Sequence, residues 1–242
     1  MQIKNIALVL SLIFIFGLSV FGQTMQVIYD PTIALKEPLK ATATEEKLVK
    51  SLLPKARQKW NDENCTEDFS ITGWAWGAFT RKYATQKAFL YEFCQTGNGF
   101  ANDGIVITEN GKVVAHFIYE GAWTAGMLGL PDINDNGIDE LLVKNYGGMH
   151  QGIISTGIDI IEIPGGKLVK EIGATQSSYD DSGADESGKS KNAYSFKVSV
   201  KIGAMPVFYR EKFVQKGKMW RKIGKISKAE MFKLDYKYNL LK

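Results

Sequence analysis

The sequence predicts a mainly β protein, in which antiparallel, blade-like meanders form an open barrel or a sandwich, with a helix near the N-terminus. Apolar and polar residues alternate along several short segments after Phe69, which is the period of a half-buried strand. Glycine-containing turns separate these segments. The turn glycines Gly111, Gly166 and Gly217 recur at intervals of roughly 50 residues, which indicates a repeated meander. Three such units are too few to close a propeller, which needs at least about four blades.

The amino-acid composition argues against several classes of protein and of function. The 242 residues are 45% hydrophobic and 23% charged, which is typical of a globular protein and not of a disordered one. The net charge of +4 is not concentrated anywhere in the chain, so nothing favours nucleic acid as a partner. Histidine occurs only at His116 and His150, which argues against a zinc enzyme with several histidine ligands.

Residues 1–22 have the pattern of a secretory signal peptide. Lys4 precedes a long apolar run, and Val20 and Gly22 are small enough for a cleavage site after Gly22. The alternative is a membrane anchor, but a spanning helix needs about 20 apolar residues. No second run of that length follows. We therefore expect a periplasmic or secreted protein with no membrane span in the mature chain.

The two cysteines are expected to form a disulfide. Cys65 and Cys94 are the only cysteines in the chain, and export would place them in an oxidising compartment. Closing a loop of about 30 residues stabilises a fold by roughly 3 to 4 kcal/mol in the chain-entropy model. The alternative is a pair of buried free thiols.

The N-terminal part of the mature chain divides into two segments. Residues 23–42 lack a clear period, which favours a linker or a loosely attached strand. Residues 43–64 form a helical segment packed on the β domain, because apolar side chains follow a helical period and Thr42 and Glu45 have capping-box spacing. Pro54 should kink or split this helix.

Residues 65–242 are predicted to form a single β-rich domain. Strands are expected at 69–79 and 87–94, and hairpins at 104–119, 157–172 and 208–223, each around a turn that contains glycine. Residues 227–230 have the spacing of a cap for a short C-terminal helix. The polar loop at 179–188 is expected to be solvated, although its acidic residues Asp180, Asp181, Asp185 and Glu186 leave open a second ion site.

The segment from Asp132 to Val143 has the clearest pattern of a binding site, that of a metal-binding loop. Oxygen-bearing side chains recur at Asp132, Asn134, Asn136 and Glu140, which are positions 1, 3, 5 and 9 of a loop whose position 6 is Gly137. Alternate residues of a tightly curled loop point inward, and Ile138 would add its backbone carbonyl. Convergent oxygen ligands favour a hard cation, and Ca²⁺ accepts irregular shells more readily than Mg²⁺ does. The alternative is a polar turn that only joins two strands.

This loop resembles the calcium-binding loop of FG-GAP and VCBS repeats, and it differs from an EF-hand. An EF-hand requires a bidentate glutamate at position 12, where this sequence has Val143. The resemblance covers residues 132–143 and implies a Ca²⁺ ion held by Asp132, Asn134, Asn136, Ile138 and Glu140. It also implies an extracellular β domain in which the loop leads into a strand.

The function these features favour is that of an exported, non-catalytic Ca²⁺-binding β module that binds a protein or a carbohydrate. One alternative is an exported hydrolase in which His150 acts with the acidic loop residues. Another is a carbohydrate-binding module that uses Trp74, Trp76 and Trp123, which requires two coplanar, exposed rings.

Overall fold

A computed structural model describes residues 25–33, 41–60, 69–97, 99–184, 192–216 and 219–241. Two short helices and twelve strands occur in this part of the chain. The helices are α1 (Ala43–Lys50) and α2 (Leu53–Lys59). The strands are β1 (Met25–Tyr29), β2 (Ser70–Gly77), β3 (Gln86–Gly97), β4 (Phe100–Glu109), β5 (Lys112–Leu130), β6 (Glu140–His150), β7 (Ile153–Glu162), β8 (Lys170–Asp180), β9 (Tyr194–Lys201), β10 (Val207–Lys216), β11 (Met219–Lys228) and β12 (Asn239–Leu240).

The strands form one open, antiparallel meander, which confirms the predicted fold class. Strands β2 to β11 lie side by side in chain order, β1 pairs with β9, and β12 pairs with β5. Because neighbours in sequence are neighbours in space, most pairs need only a short turn. The sheet does not close into a propeller, since β2 and β11 remain its two ends.

Strand β5 joins the two halves of the sheet. Its first half pairs with β4 as far as Ala122, and its second half pairs with β6 from Trp123 onward, with a bulge between Thr124 and Gly126. Gly126 has φ +138°, a conformation that glycine adopts without steric cost. The sheet curls here, so that β2 returns against the second half of β5, where the hydroxyl groups of Thr72 and Thr124 lie 2.8 Å apart.

The curl creates separate apolar clusters on the two faces of the sheet. The cluster inside the curl takes residues from β2 to β7, among them Leu90, Phe117 and Leu141. A second cluster lies where β1, β9 and β10 meet β6 and β7. The third lies beneath the helices, which bury Val49, Leu53 and Ala56 against β3 and β4.

Short sequence motifs predicted the positions of the helices and the hairpins correctly. The side chain of Thr42 accepts a hydrogen bond from the Glu45 backbone and that of Glu45 accepts one from the Thr42 backbone, so the capping box is present. The helix splits where Pro54 begins α2. Asn110 and Gly111 have φ of +51° and +74° and connect β4 to β5, as the hairpin motif predicts. The hairpins β7–β8 and β10–β11 also form.

The C-terminal helix expected from residues 227–230 is absent, and this prediction is wrong. Strand β11 continues to Lys228, and the chain then runs extended across β8, where Phe232 and Ala174 exchange backbone hydrogen bonds of 2.7 and 2.9 Å. These pairings satisfy backbone groups that a helix would otherwise have paired internally. We call residues 229–238 the C-terminal strap.

Several expectations for the N-terminal part fall outside the described residues. The predicted signal peptide, the end of the helical segment and Cys65 lie there. Within 23–42, residues 25–29 form β1, which pairs with β9 and buries Ile28 and Tyr29. Neither described helix is long and apolar enough to cross a lipid bilayer.

Candidate metal loop and polar clusters

The loop that joins β5 to β6 contains all five predicted calcium ligands. It leaves the sheet after Leu130 and returns at Glu140, the first residue of β6. Two of its residues, Asp135 (φ +59°) and Gly137 (φ +88°), have left-handed backbone conformations. These turns keep the loop short and curled, as its glycine and asparagine content predicts.

The carboxylate of Asp132 closes the loop on itself. Its Oδ1 accepts a hydrogen bond from the backbone N–H of Asn136 at 3.0 Å, and its Oδ2 accepts one from Gly137 at 2.5 Å. Asn136 Oδ1 in turn accepts a hydrogen bond from the N–H of Ile138 at 2.9 Å. Asp132 therefore has a structural role in the loop whether or not an ion is bound.

Glu162 at the end of β7 orients two of the predicted ligands. Its Oε2 accepts hydrogen bonds from Nδ2 of Asn134 at 2.8 Å and of Asn136 at 2.5 Å. Since a carboxylate accepts hydrogen bonds, each amide must turn its nitrogen toward Glu162 and its oxygen away. Lys170 pairs with the other carboxylate oxygen at 2.5 Å. Burial opposes ionisation here, but the hydrogen bonds from Lys170, Asn134 and Asn136 lower the pKa of Glu162.

Glu140 is the most deeply buried of the predicted ligands. It has no solvent exposure, and its Oε2 accepts a hydrogen bond from the N–H of Ile133 at 2.9 Å. Burial, together with the negative charges of Asp132, Glu162 and Asp139, raises its pKa to about 8, although the bond from Ile133 opposes the shift. The carboxyl group thus lies in an environment with an excess of negative charge.

Two side-chain oxygens of the loop have no hydrogen-bond partner among the described residues. They are Asn134 Oδ1 and Glu140 Oε1, and both are buried. Buried oxygens are normally paired, because each one left without a partner costs about 1 to 3 kcal/mol. Both belong to the predicted ligand set, and a cation is a partner that would satisfy them.

No group of three or more His, Cys, Asp and Glu side chains within the described ranges is arranged to hold a metal ion. The predicted set contains only two such residues, Asp132 and Glu140, and relies on amide and carbonyl oxygens for the rest. Sequence reasoning missed Glu162, which lies on another strand. Its only signal was an acidic residue that follows the apolar pair Ile160-Ile161 at the end of β7.

The residues of the alternative hydrolase site are only partly described. The β6–β7 hairpin brings His150 opposite Ile153, and Asp180 pairs with Ile154, so the backbone places these segments at one end of the sheet. The side chain of His150 lies outside the described part, as do Asp185 and Glu186. Asp180 and Asp181 accept hydrogen bonds from Ser182 and Asn192, which closes their own loop. The hydrolase alternative remains a prediction.

Two of the tryptophans contact a buried lysine, and the carbohydrate-binding alternative that uses them remains a prediction. Trp74 and Trp76 share one face of β2, and the ammonium group of Lys87 lies 3.9 Å and 5.5 Å from the centres of their rings. Lys87 also pairs with Glu45 of α1 at 2.7 Å. Trp76 is 58% exposed, whereas Trp123 is partly buried on β5. The pair thus holds a lysine by cation–π contact.

His116 is a buried residue of β5. Its Nε2 lies 2.7 Å from the hydroxyl oxygen of Tyr91, and it is only 3% exposed. Burial and the positive charge of Lys55 lower its pKa to about 4. Cys94 is also buried, in β3. Since Cys65 lies outside the described residues, the Cys65–Cys94 disulfide remains a prediction.

A second polar cluster lies under the C-terminal strap, where sequence analysis expected no site. Asp159 on β7 accepts a hydrogen bond from Asn145 Nδ2 on β6. Burial and the charge of Glu171 raise the pKa of Asp159 to about 7, and the bond from Asn145 opposes the shift. The two side chains line a cavity of about 280 Å³.

Comparison with known proteins returned no match: no protein-family model, no curated protein and no solved structure resembles this chain. The resemblance of residues 132–143 to FG-GAP and VCBS loops therefore remains a prediction, and the functional argument depends on the geometry of the chain itself.

Proposed function

We propose that this chain is an exported β module that binds one Ca²⁺ ion in the loop between β5 and β6 and acts by binding, without catalysis. The ligands would be side-chain oxygens of Asp132, Asn134, Asn136 and Glu140 and the backbone carbonyl of Ile138. The observation that carries the proposal is the pair of buried oxygens, Asn134 Oδ1 and Glu140 Oε1, which have no partner among the described residues.

The neighbouring carboxylate supports this assignment. Glu162 holds the amide nitrogens of Asn134 and Asn136 and so directs their oxygens away from itself. Residues that orient ligands without touching the ion are typical of metal sites. The alternative is a loop held only by its own hydrogen bonds. In that case Glu140 Oε1 would be buried without a partner that offsets the loss of its hydration.

The expected affinity is low. Asp132 and Glu140 are the only two carboxylates in the ligand set, and a small ligand charge gives weak binding, near the 10⁻⁴ to 10⁻³ M range of extracellular calcium modules. Such a site is filled only where calcium is abundant. This agrees with the exported compartment predicted from residues 1–22.

A groove beside the loop supports a binding role. It has a volume of about 640 Å³ and is bordered by Asn134 and Asn136. Apolar side chains, including Phe208 and Met231, contribute to its lining, as do two lysines, Lys170 and Lys233, and two carboxylates, Asp135 and Glu171. A carbohydrate stacks on exposed aromatic faces, whereas Phe208 is 5% exposed. Because its charged side chains balance, the groove favours an apolar segment of a partner protein.

Calorimetric titration with Ca²⁺ and thermal melts in calcium and in EDTA test the ion site. The informative variant is Glu140→Gln, which keeps the shape of the side chain but removes its charge. Asp132→Ala is less useful, because Asp132 also holds two backbone N–H groups and its loss should lower stability in both conditions. Asp135→Asn is the control, since Asp135 is exposed in the same loop and lies outside the ligand set.

The wild-type protein should bind one Ca²⁺ and melt at a higher temperature in calcium than in EDTA. Glu140→Gln should lose the calcium-dependent rise, yet melt in EDTA at pH 7 near the wild-type temperature, because a pKa of about 8 leaves the wild-type carboxyl group mostly neutral without an ion. Asp135→Asn should behave as wild type. Identical wild-type melts with and without calcium would contradict the proposal.

The groove has its own test. Peptides selected from a random library on the calcium-loaded protein should be rich in apolar residues. They should bind Met205→Glu at least tenfold more weakly, because Met205 lines the groove and is exposed. Met219→Glu, which changes an exposed methionine of β11, should leave binding unchanged. A selection that yields no such peptides, or peptides equally sensitive to both variants, would contradict the binding surface.

A further inference from the structure

The cavity under the C-terminal strap has a floor built from three adjacent strands. Asn145 on β6, Gly157 on β7 and Gln176 on β8 lie side by side in register. Gly157 leaves an open space between its two neighbours, because a Cβ atom added there would meet only the backbone oxygen of Thr175, at 3.6 Å. Asp159 follows two residues later and so faces the same side of the sheet.

The strap forms an ordered roof. Phe232 pairs with Ala174 through two backbone hydrogen bonds, and the N–H of Leu234 donates to Glu171 Oε1 at 2.7 Å. The ring of Tyr236 lies 5.6 Å from that of Tyr119. The strap is thus tied at three successive points above the sheet, and the cavity has fixed walls.

Asn145 and Asp159 give this cavity two buried acceptor groups. Asn145 is 4% exposed and lines the cavity, and its Oδ1 has no hydrogen-bond partner among the described residues. The side-chain N–H₂ group of Gln176 already donates to Ser155, and its oxygen lies 3.5 Å from the hydroxyl of Tyr194. No basic side chain in the described part of the chain lines the cavity. An occupant that donates hydrogen bonds and carries a positive charge would therefore complement Asn145 Oδ1 and the Asp159 carboxylate.

We propose that this cavity binds a small organic cation, an alkylammonium or a guanidinium, between the Asp159 carboxylate and Asn145 Oδ1, beneath the rings of Phe232 and Tyr236. The carboxylate supplies the opposite charge, the amide oxygen accepts a donated hydrogen bond, and the aromatic rings favour a cation near their faces. The volume of about 280 Å³ is close to the lower end of small-molecule pockets, roughly 300 Å³, which favours a metabolite-sized ligand over a polymer.

The electrostatic setting agrees with a positive occupant. Burial, followed by the negative charge of Glu171, raises the pKa of Asp159 to about 7. The nearby tyrosines Tyr119, Tyr236 and Tyr238 add no positive charge. Burial raises their pKa values, and the charge of Asp159 adds to the rise. A bound cation would offset this negative field.

Isothermal titration with n-butylammonium and methylguanidinium tests the proposal, with n-butanol and inositol as neutral probes. All titrations use the whole protein in EDTA, so that failure of the calcium site does not affect the outcome. One cation per protein should bind saturably, with a dissociation constant below about 1 mM, and neither neutral probe should bind.

Two variants locate the binding. Asp159→Asn removes the charge at constant shape, and Gly157→Val fills the floor of the cavity with a residue that strands accept. Both should weaken cation binding at least tenfold while leaving the circular dichroism spectrum unchanged. Asp235→Asn is the matched control, because Asp235 lies on the same strap, is exposed, and has a φ of +55° that asparagine tolerates.

Three results would overturn the proposal. The first is the absence of cation binding at about 10 mM probe. The second is equal affinity in the wild type and in both cavity variants, which would indicate binding elsewhere. The third is saturable binding of inositol with no binding of either cation, which would identify a polyol site instead. Should Gly157→Val fail to fold, Asp159→Asn alone decides between these outcomes.

Discussion

Glu162 accepts a hydrogen bond of 2.8 Å from Asn134 across a separation of 28 residues in sequence. The same carboxylate oxygen accepts one from Asn136. This relationship connects the candidate calcium loop to the end of β7, and through Lys170 to the start of β8. The orientation of two predicted ligands thus depends on strand pairing beyond the loop.

Replacing Glu162 with glutamine should therefore weaken calcium binding although Glu162 is not in the ligand set. Loss of a group that orients metal ligands typically reduces affinity 10- to 100-fold, and we expect a reduction in that range by calorimetric titration. Glu211→Gln is the control, because it removes a carboxylate from a Lys–Glu pair on β10 and β11, far along the sheet. Equal affinities in Glu162→Gln and the wild type would show that Glu162 does not position the ligands.

Gly137→Ala should destabilise the loop by about 1 to 2 kcal/mol, the cost of a left-handed backbone for a residue with a Cβ atom. The φ of Gly137 is +88°, and an added Cβ would also meet the side chain of Lys82. Gly111→Ala has a similar φ of +74° and nothing within 4 Å. The free energy of unfolding in EDTA should fall further for Gly137→Ala than for Gly111→Ala. The reverse order would indicate that Lys82 moves aside freely and that the loop relaxes.

The buried His116 should make stability depend on pH. Its pKa is about 6.5 in the unfolded chain and about 4 in the folded protein. Between these values the unfolded state binds a proton that the folded state does not, so the free energy of unfolding falls as the pH falls from 6.5 to 4. The full loss is about 3 kcal/mol, and none is expected above pH 6.5.

Comparison of the wild type with His116→Gln isolates this effect, because other titrating groups are common to both proteins. As the pH decreases to 4, the unfolding free energy of the wild type, measured by urea denaturation, should fall more than that of His116→Gln. Tyr91→Phe keeps the buried imidazole but removes the hydroxyl that lies 2.7 Å from it, so its pH dependence should resemble that of the wild type. A constant difference between wild type and His116→Gln from pH 7 to 4 would be inconsistent with a lowered pKa.

The capping box at the start of α1 should contribute to the free energy of unfolding. Thr42→Ala removes the hydroxyl that accepts a hydrogen bond from the N–H of Glu45 at 3.3 Å, and losing such a cap costs about 1 kcal/mol. Thr44→Ala changes an exposed residue within the helix and should be neutral or slightly stabilising. Urea denaturation of both variants measures the difference, and equal stabilities would show that the cap contributes nothing.

The local features of this protein were predictable from the sequence because they depend on residues only a few positions apart. Thr42 and Glu45, which are three positions apart, cap the start of the helical segment, and Pro54 splits it. Asn110-Gly111 forms a hairpin turn by its own backbone preferences. The curl of the loop from Asp132 also follows from neighbouring residues. The wrong prediction of a helix at residues 227–230 also came from a local pattern. The capping residues there do not start a helix, because the strap pairs with β8 instead.

Sequence by itself determined the β class, the hairpins and the spacing of oxygen-bearing side chains in the loop. Tertiary structure alone decided that Glu162 orients Asn134 and that Asn145 and Asp159 meet under the strap. It also decided that Lys87 contacts the rings of Trp74 and Trp76. These contacts join residues on different strands, and a shift of one residue in strand register would turn each side chain to the opposite face of the sheet. No short-range pattern encodes that register, because it is set by the packing of the whole curled sheet around its core.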